Sequence, residues 1–221
     1  MRDAEKDAAE MAERRTKLLV AGFQLMSART IEAVKLSEVA EAAGVGIATL
    51  YRYFKTKPDL VIEIGTALWR KYYVDVEAAY AARGGAAMDA AGELEFFLDS
   101  IIELYREHKD VLRFNRNFDT YVKHECCTAE QMRPYNEAVT VFATKFHTVV
   151  RKAQEDGTLD IRVSESKLFI NLLYIMLSVA GKYAEGLVYP PDGEHDMTDE
   201  LLMLKRMIVD SMRKMERRYI S

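Results

Sequence analysis

Apolar residues recur at spacings of three and four along almost the whole chain, from Leu18 to Met215. This period is typical of α-helices with one buried face, and the alternation that marks β-strands is almost absent. The pattern therefore predicts an all-α protein of about nine helices. We expect these helices over residues 8–28, 36–43, 47–54, 56–82, 94–109, 114–122, 128–156, 164–187 and 198–217.

Capping residues and glycines mark several of the predicted helix ends. Thr56 with Asp59, and Thr128 with Gln131, match the capping-box pattern that begins a helix. Pro134 closely follows the second box and predicts either the true helix start or a kink. Glycine stops are expected at two places, Gly84-Gly85 and Gly157.

The segment from Leu36 to Lys57 carries the most specific pattern in the chain. It contains two short predicted helices separated by Gly44-Val45-Gly46. Small apolar residues lie where these two helices must pack at a steep angle, namely Val39, Ala40, Ala43, Val45 and Leu50. The arrangement predicts a helix-turn-helix whose second helix is free to enter a DNA major groove.

Charge is distributed unevenly along the chain. The formal net charge is -4, yet residues 14–57 hold eight Lys or Arg against three Asp or Glu. Residues 1–13 hold two basic and five acidic residues, so the predicted helix-turn-helix is a basic island on an acidic protein. A basic face favours contact with nucleic acid, because neutralising phosphates contributes much of the affinity.

Neither the hydropathy nor the cysteines indicate a membrane or an oxidising compartment. No apolar stretch approaches the roughly 20 residues of a membrane span, and residues 1–15 lack the apolar core of a signal peptide. We therefore expect a cytoplasmic protein with no membrane partner.

Cys126 and Cys127 are adjacent in the sequence, and neighbouring residues rarely form a disulfide. Reduced thiols are therefore expected, and a thiol switch is the alternative. Adjacent residues also rarely converge on one ion, so no metal site is assigned to His124-Glu125-Cys126-Cys127.

The N-terminal region resembles the TetR family of bacterial transcriptional regulators. The residues that carry this resemblance, without a gap in spacing, are Leu18-Leu19-Val20-Ala21-Gly22-Phe23-Gln24-Leu25-Met26, Val39-Ala40, Gly44-Val45 and Leu50-Tyr51-Arg52-Tyr53-Phe54-Lys55-Thr56-Lys57. The resemblance implies a DNA-binding domain over residues 1–57 and an effector-binding and dimerisation domain over residues 58–221. It also implies a repressor that binds a double-stranded DNA operator as a homodimer, through its last two helices, and leaves it when a small effector binds.

Three residues depart from the family pattern. Gly22 stands where alanine is usual, which costs about 1 kcal/mol of helix propensity unless close helix contact requires it. Thr30 replaces the usual helix-ending glycine. Lys35 replaces a threonine cap, so we expect a weaker cap or one shifted to Ser37, with Lys35 free to meet a phosphate.

Position within the motif assigns DNA contacts to nine residues, which are Lys35, Ser37, Ile47, Ala48, Thr49, Tyr51, Arg52, Tyr53 and Lys57. The resemblance implies that Tyr51 and Lys57 hold phosphates. The segment Ile47-Ala48-Thr49 begins the reading helix, where apolar side chains suit thymine methyl groups. Arg52 is the long donor for a guanine or a phosphate, and Tyr53 is expected against the backbone or a thymine.

The effector site is less specifically marked. Aromatic residues and methionine at the helical period predict an aromatic and Met-rich interior, and each of them taken singly is more often a core residue than part of a ligand-binding wall. As a set they favour a concave apolar site for a small, largely apolar or aromatic effector. The residues are Trp69, Tyr73, Phe97, Ile101, Tyr105, His108, Phe114, Phe118, Tyr121, Met132, Phe142, Phe146 and Tyr174.

The helix over residues 164–187 is apolar nearly all round and must be covered on more than one side. Ser178, Ala180, Gly181 and Ala184 allow close helix approach. One chain of this size does not easily cover both sides, so pairing with a second copy is expected.

Two other functions remain open at this stage. Motifs of nucleophilic, phosphate-loop and metal-dependent catalysis are absent from the sequence, so no enzymatic activity and no cofactor are expected. An enzyme with a scattered site, or a helical ligand-binding protein that has lost operator reading, is the alternative.

Overall fold

The computed structural model describes residues 2–186 and 196–213, with burial given from residue 6 onward. Within these ranges the chain forms ten α-helices, one short 3-10 turn at Gly85–Ala87 and no named strand. The helices are α1 (Arg2–Ala28), α2 (Leu36–Ala42), α3 (Ile47–Tyr53), α4 (Lys57–Ala82), α5 (Ala90–Glu107), α6 (Lys109–His124), α7 (Ala129–Thr140), α8 (Ala143–Asp156), α9 (Glu165–Ala184) and α10 (Thr198–Met212).

The all-α prediction is confirmed, but the helix expected over residues 128–156 is divided into α7 and α8. The divide falls at Val141-Phe142, where the backbone makes short-range turn bonds such as Phe142 N to Val139 O (3.2 Å). Phe142 stacks on Tyr72 and meets the edge of Tyr73, with ring centroids 5.3 Å apart in both pairs. This tertiary contact has no signal in the local sequence, which reads as one continuous helix.

Several other bounds differ from the expected ones. Helix α1 begins at Arg2 instead of residue 8. Helix α5 begins at Ala90 instead of residue 94, where Asp89 caps it by accepting the backbone N–H of Gly92 (2.7 Å). The last turn expected for α10 lies mostly outside the described residues.

Both predicted capping boxes are present. Thr56 donates its backbone N–H to the Asp59 carboxylate (3.0 Å), and Asp59 N–H is bonded to the Thr56 hydroxyl (3.3 Å). Thr128 and Gln131 make the same reciprocal pair, at 2.9 Å and 3.2 Å. These local signals set the starts of α4 and α7.

The backbone divides into two compact units. The N-terminal unit comprises Met1–Arg70 and Arg113–Ala138, and the C-terminal unit comprises Lys71–Leu112 and Val139–Ser221. The contacts therefore divide the chain at other places than residue 57, because parts of α6 and α7 pack with the N-terminal helices. The expected functional division into residues 1–57 and 58–221 stays a prediction.

Gly22 lies where α1 approaches α4 closely in the N-terminal unit. A Cβ atom built on Gly22 would be 2.8 Å from Ile64 Cδ1, which is closer than carbon atoms approach without strain. Close helix contact therefore explains the departure from the usual alanine.

This contact predicts that Gly22→Ala changes stability little, since about 1 kcal/mol of helix propensity is offset by the clash with Ile64. In an Ile64→Val background, where Cδ1 is absent, the same substitution is expected to stabilise the protein by about 1 kcal/mol. Urea unfolding of the four proteins in a double-mutant cycle measures this coupling. Strictly additive effects would contradict the packing account.

A buried ion pair anchors the C-terminal unit. Lys152 Nζ lies 2.7 Å from Glu93 Oε2, and the Glu93 residue is only 1% exposed. The same ammonium donates to the carbonyls of Met88 (2.8 Å) and Gly85 (3.3 Å), while the Tyr80 hydroxyl donates to Glu93 Oε1 (3.1 Å). Burial by itself lowers the pKa of Lys152, but the hydrogen bond and charge of Glu93 outweigh it, so the pKa is raised.

Candidate DNA-binding surface and ligand cavity

The turn between α2 and α3 is built on Gly44. This glycine has a φ of 66°, in the left-handed region that other residues adopt at a cost. Gly44 N–H bonds to Glu41 O (3.0 Å) and Val45 N–H to Ala40 O (2.9 Å), which together form a Schellman motif. The motif ends α2 sharply and lets α3 begin after Gly46, so the helix-turn-helix geometry follows from local sequence.

Helix α3 leaves one face open. Ile47 is 42% exposed and Tyr51 is 51% exposed, which is unusual for large apolar or aromatic side chains. Ala48 and Arg52 are also exposed, and Thr49 is half-buried. On the opposite side, Leu50 is fully buried. Ile47, Ala48 and Arg52 thus share the open face with Tyr51, whereas Leu50 lies in the core.

The start of α2 shows how the replaced cap is compensated. Lys35 remains the N-cap residue, and its side chain makes no capping bond. Instead the Glu38 carboxylate accepts the Lys35 backbone N–H (2.7 Å) and is held by Arg29 (2.9 Å). The bond from the Lys35 backbone and then the one from Arg29 lower the pKa of Glu38. Lys35 and Ser37 are both exposed beside this cap.

Lys57 is held more deeply than its expected phosphate role suggests. Its ammonium donates to the Glu32 carbonyl (3.1 Å) and lies 5.6 Å from the centroid of the buried Tyr121 ring on α6. Burial lowers the pKa of Lys57, although the nearby Glu32, Glu125 and Glu38 act in the opposite direction. The phosphate contact of Lys57 stays a prediction. The structure shows in addition that Lys57 contacts Tyr121 of α6.

Phe54 is buried, and Tyr53 is half-buried. The Tyr53 hydroxyl is buried and makes no hydrogen bond within the described part of the chain. Buried hydroxyl groups in proteins nearly always have a partner. Tyr53 therefore differs from Tyr51, whose ring is open to solvent on the same short helix.

A cavity of about 590 Å³ lies in the C-terminal unit between α4, α5 and α10. Its lining mixes apolar side chains with acidic and basic ones, so it is more polar than the expected aromatic site. The residues are Tyr72, Asp75, Val76, Ala79, Arg83, Phe96, Asp99, Ser100, Ile102, Glu103, Leu104, Arg106, Glu107, His108, Leu202 and Lys205.

Hydrogen bonds and ring contacts fix the polar groups of this cavity. The Ser100 hydroxyl donates to Phe97 O (2.7 Å), so the 2.8 Å bond between Tyr72 and Ser100 is donated by Tyr72. Burial raises the pKa of Tyr72, so the phenol stays protonated. The Arg83 guanidinium lies 5.6 Å from the Phe96 ring centroid. A guanidinium and a pair of hydroxyl groups thus line one concave surface.

The predicted effector residues are divided between the two compact units, and their role in binding an effector stays a prediction. Trp69, Phe114, Phe118, Tyr121 and Met132 fall in the N-terminal unit and the other eight in the C-terminal unit. Of the thirteen, His108 lines the cavity.

Most of the remaining twelve are core residues. Tyr105, Phe114, Phe118 and Tyr121 are at most 1% exposed. Trp69 is also buried, and its indole N–H donates to the Tyr135 hydroxyl (3.1 Å). The sequence identified an aromatic interior, but it missed Tyr72 and Ser100, whose pairing across 28 positions has no local signal.

Helices α9 and α10 present large apolar side chains to solvent. Tyr174 is 63% exposed, so it lies on the outer face of α9 and not in an interior cavity. The small residues Ala180, Gly181 and Ala184 are turned inward and buried. The other exposed apolar side chains on these two helices are Ile170, Ile175, Met203 and Met207.

By length and composition alone, α9 is long and apolar enough to cross a membrane. Within its most apolar 18-residue stretch, 39% is buried inside the protein. Core helices of soluble proteins pass the same test.

Comparison with known proteins agrees with the geometry of the N-terminal helices. The sequence model described as "Bacterial regulatory proteins, tetR family" matches residues 18–64, which include the whole helix-turn-helix. The HTH-type transcriptional repressor KstR of Mycolicibacterium smegmatis is 36% identical over 84 residues, which are 38% of this chain. The match spans 40% of the length of that repressor.

Solved structures share the fold over nearly the full length. The fatty acid degradation regulator FadR from Bacillus halodurans has a TM-score of 0.69 at 15% identity, covering 89% of this chain and 94% of its own. FadR from Bacillus subtilis in complex with stearoyl-CoA has a TM-score of 0.64 at 14% identity, covering 86% of this chain and 96% of its own. At these identities the likeness concerns the fold.

Proposed function

We propose that this chain is a member of the TetR family of bacterial regulatory proteins and acts as a cytoplasmic transcriptional repressor that a small ligand releases from its operator. The observation that carries the proposal is the open face of α3, where Ile47, Tyr51 and Arg52 are exposed directly after the Gly44 turn. Large side chains left open at this position are suited to a DNA groove.

The open face favours a particular kind of base reading. Ile47 and Ala48 offer only apolar contact, which suits thymine methyl groups, and Arg52 is the one long donor on α3. Two apolar residues cannot form a bidentate bond with a base. Specificity therefore depends on Arg52, on methyl contacts and on the shape of the DNA.

The outer face of α9 and α10 supports a homodimer. Exposed apolar residues such as Ile170 and Tyr174 lie beside the buried small residues of the same helix. A second copy of the chain, related by a two-fold axis, would cover this face and present two reading helices to a palindromic site.

The cavity supports the ligand response. Four of its lining residues, Tyr72, Asp75, Val76 and Ala79, belong to α4, and the first turn of that helix holds Lys57. A ligand in the cavity would shift α4 and, with it, the distance between the two reading helices. By thermodynamic linkage, bound DNA weakens ligand binding by the same free energy by which bound ligand weakens DNA binding.

The lining favours an amphipathic ligand. Val76, Leu104 and Leu202 suit an apolar body, and Arg83 suits an acidic group. Stearoyl-CoA, which is bound to the Bacillus subtilis FadR, combines these two properties. We infer a ligand with an apolar chain or ring system and an anionic head.

The phosphate contacts give the first test of this function. Tyr51→Phe and Lys57→Ala are each expected to weaken operator binding about tenfold or more, because a hydrogen bond to a charged group contributes about 1.5–3 kcal/mol. Lys57→Ala is also expected to reduce the slope of log affinity against log salt by about 0.9. Mobility-shift titrations on the region upstream of the gene measure both effects.

Lys71→Ala is the matched control, because Lys71 is exposed and paired with Asp75 in the C-terminal unit (2.6 Å). It is expected to leave both affinity and salt slope unchanged. Wild-type affinity for Tyr51→Phe and for Lys57→Ala would contradict this account of the DNA contacts.

A further inference from the structure

A cleft beside α3 is also lined by residues of α1, a helix to which no DNA contact has been assigned. In the N-terminal unit, Met11, Ala12 and Arg15 of α1 face Arg52 and Tyr53 of α3 across a cleft of about 590 Å³. Arg52 and Tyr53 belong to the predicted DNA contacts, whereas the three α1 residues lie before the segment that the family model matches. The cleft therefore extends the candidate surface onto α1.

Two guanidinium groups meet at this cleft. Arg15 is held in place by Glu63, whose carboxylate accepts from both Nε and Nη2, and by the Phe54 ring, whose centroid is 5.3 Å away. The Glu63 bond raises the pKa of Arg15, so the group is always charged. Its Nη1 takes no part in the Glu63 bonds. Arg52 is exposed on the other wall.

The Tyr53 hydroxyl adds a donor that lacks an acceptor. It is buried and has no hydrogen-bond partner within the described residues. Tyr53 also lies near enough to Arg15 to act on the pKa of that guanidinium. A fixed cation, a second cation and an unused hydroxyl donor are therefore gathered beside the helix that reads DNA.

We propose that this cleft binds a phosphodiester of the operator backbone, with Arg15, Arg52 and Tyr53 as donors. A phosphate oxygen accepts from guanidinium and phenol groups alike, so one phosphate satisfies all three. Glu63 then acts as a positioning residue, because it orients Arg15 without touching DNA. The proposal rests on the proposed function, since it extends the contact of the same DNA-binding unit from α3 to α1.

The test compares Arg15→Ala with Arg14→Ala. Arg14 directly precedes Arg15 on α1, is exposed and is paired with Glu10, so its removal takes away the same charge from outside the cleft. On an operator duplex selected from random sequences, Arg15→Ala is expected to reduce the slope of log affinity against log salt by about 0.9, and Arg14→Ala to leave it unchanged. Tyr53→Phe removes no charge and is expected to weaken binding severalfold at an unchanged slope.

Glu63→Gln separates phosphate binding from a purely structural role. It breaks the ion pair but keeps the guanidinium, so the wild-type salt slope is expected to persist. Thermal unfolding of each variant checks that the fold is kept. If Arg15 acts only by bracing α1 against Glu63, then Glu63→Gln and Arg15→Ala will reduce DNA affinity equally, and this result overturns the proposal.

Two further outcomes show whether the cleft binds DNA or a free phosphate ion, and whether a negative result contradicts the cleft alone or the proposed function as a whole. Inorganic phosphate, titrated into the free protein, would bind tightly at the cleft if the site served a free anion, and unchanged salt slopes on DNA would then overturn the proposal. A wild-type protein that selects no DNA sequence contradicts the proposed function as a whole. Normal operator binding with equal slopes for Arg14→Ala, Arg15→Ala and wild type contradicts only the cleft.

Discussion

Lys152→Ala is expected to destabilise the C-terminal unit by about 3–5 kcal/mol, because it leaves the Glu93 carboxylate buried without its counter-charge. The Lys152 ammonium lies 2.7 Å from Glu93 Oε2 and supplies the charge that compensates this buried carboxylate. The two carbonyl bonds that Lys152 makes to the turn before α5 are lost as well. Urea unfolding at pH 7 measures the loss.

The direction of the Lys152 pKa shift determines the pH at which the unfolding measurement should be made. The pKa of Lys152 is raised in the folded protein, since the bond to Glu93 outweighs burial. The ion pair therefore contributes fully below the unfolded pKa and is lost only as the pH rises through the raised value. At neutral pH its whole contribution is present.

Two variants control this prediction. Arg151→Ala removes an exposed cation that is paired with Glu155 one turn away, and it is expected to change stability by at most about 0.5 kcal/mol. The double variant Lys152→Ala/Glu93→Gln removes the unpaired charge and is expected to recover much of the loss. Equal unfolding midpoints for Lys152→Ala and Arg151→Ala would show that the ion pair is not an anchor of this unit.

Placing an aspartate on the outer face of α9 is expected to abolish dimerisation and, with it, tight operator binding. Ile170→Asp and Tyr174→Asp each put an unpaired charge into the proposed interface, which is strongly unfavourable when desolvated. A single reading unit loses the effective concentration that pairing provides, so affinity is expected to fall about 10²–10⁴-fold. Analytical ultracentrifugation and DNA titration on the same samples measure both effects.

Val74→Asp is the matched control, because it places the same charge on an exposed apolar position outside the outer face of α9. Val74 is 63% exposed on α4 and does not line the cavity, so this variant is expected to remain dimeric and to bind DNA normally. Variants of Ile170 and Tyr174 that stay dimeric with full affinity would place the interface elsewhere.

The helix-turn-helix was predictable because its geometry is encoded locally. Gly44 ends α2 with two backbone bonds that only a left-handed residue allows, and the Thr56–Asp59 box begins α4. The capping box at Thr128 was predictable for the same reason. Such signals depend on neighbours three or four positions away, which a sequence shows directly.

Tertiary contacts account for what the sequence did not show. The division between α7 and α8 coincides with the stacking of Phe142 on Tyr72, and the two lie 70 positions apart. The cavity likewise depends on the pairing of Tyr72 with Ser100 from another helix. An aromatic period predicts that a side chain is buried, but not whether it lines a cavity or fills the core.

The Lys57 position illustrates both cases. Its place in the motif was predictable, and so was its charge near the start of α4. Its bond to the Glu32 carbonyl and its contact with Tyr121 of α6 appear only in the folded chain. The candidate phosphate contact is therefore also a point at which movement of α6 would reach the DNA-binding surface.

Selection of bound duplexes from a random-sequence DNA library tests the central claim most directly. If the chain is an operator-reading dimer, repeated selection will enrich a roughly palindromic sequence whose half-sites are centred about one helical turn apart or a multiple of it. The enriched duplex will be bound far more tightly than unrelated DNA at the same salt concentration. Equal binding of all sequences, or no binding at all, would contradict the account.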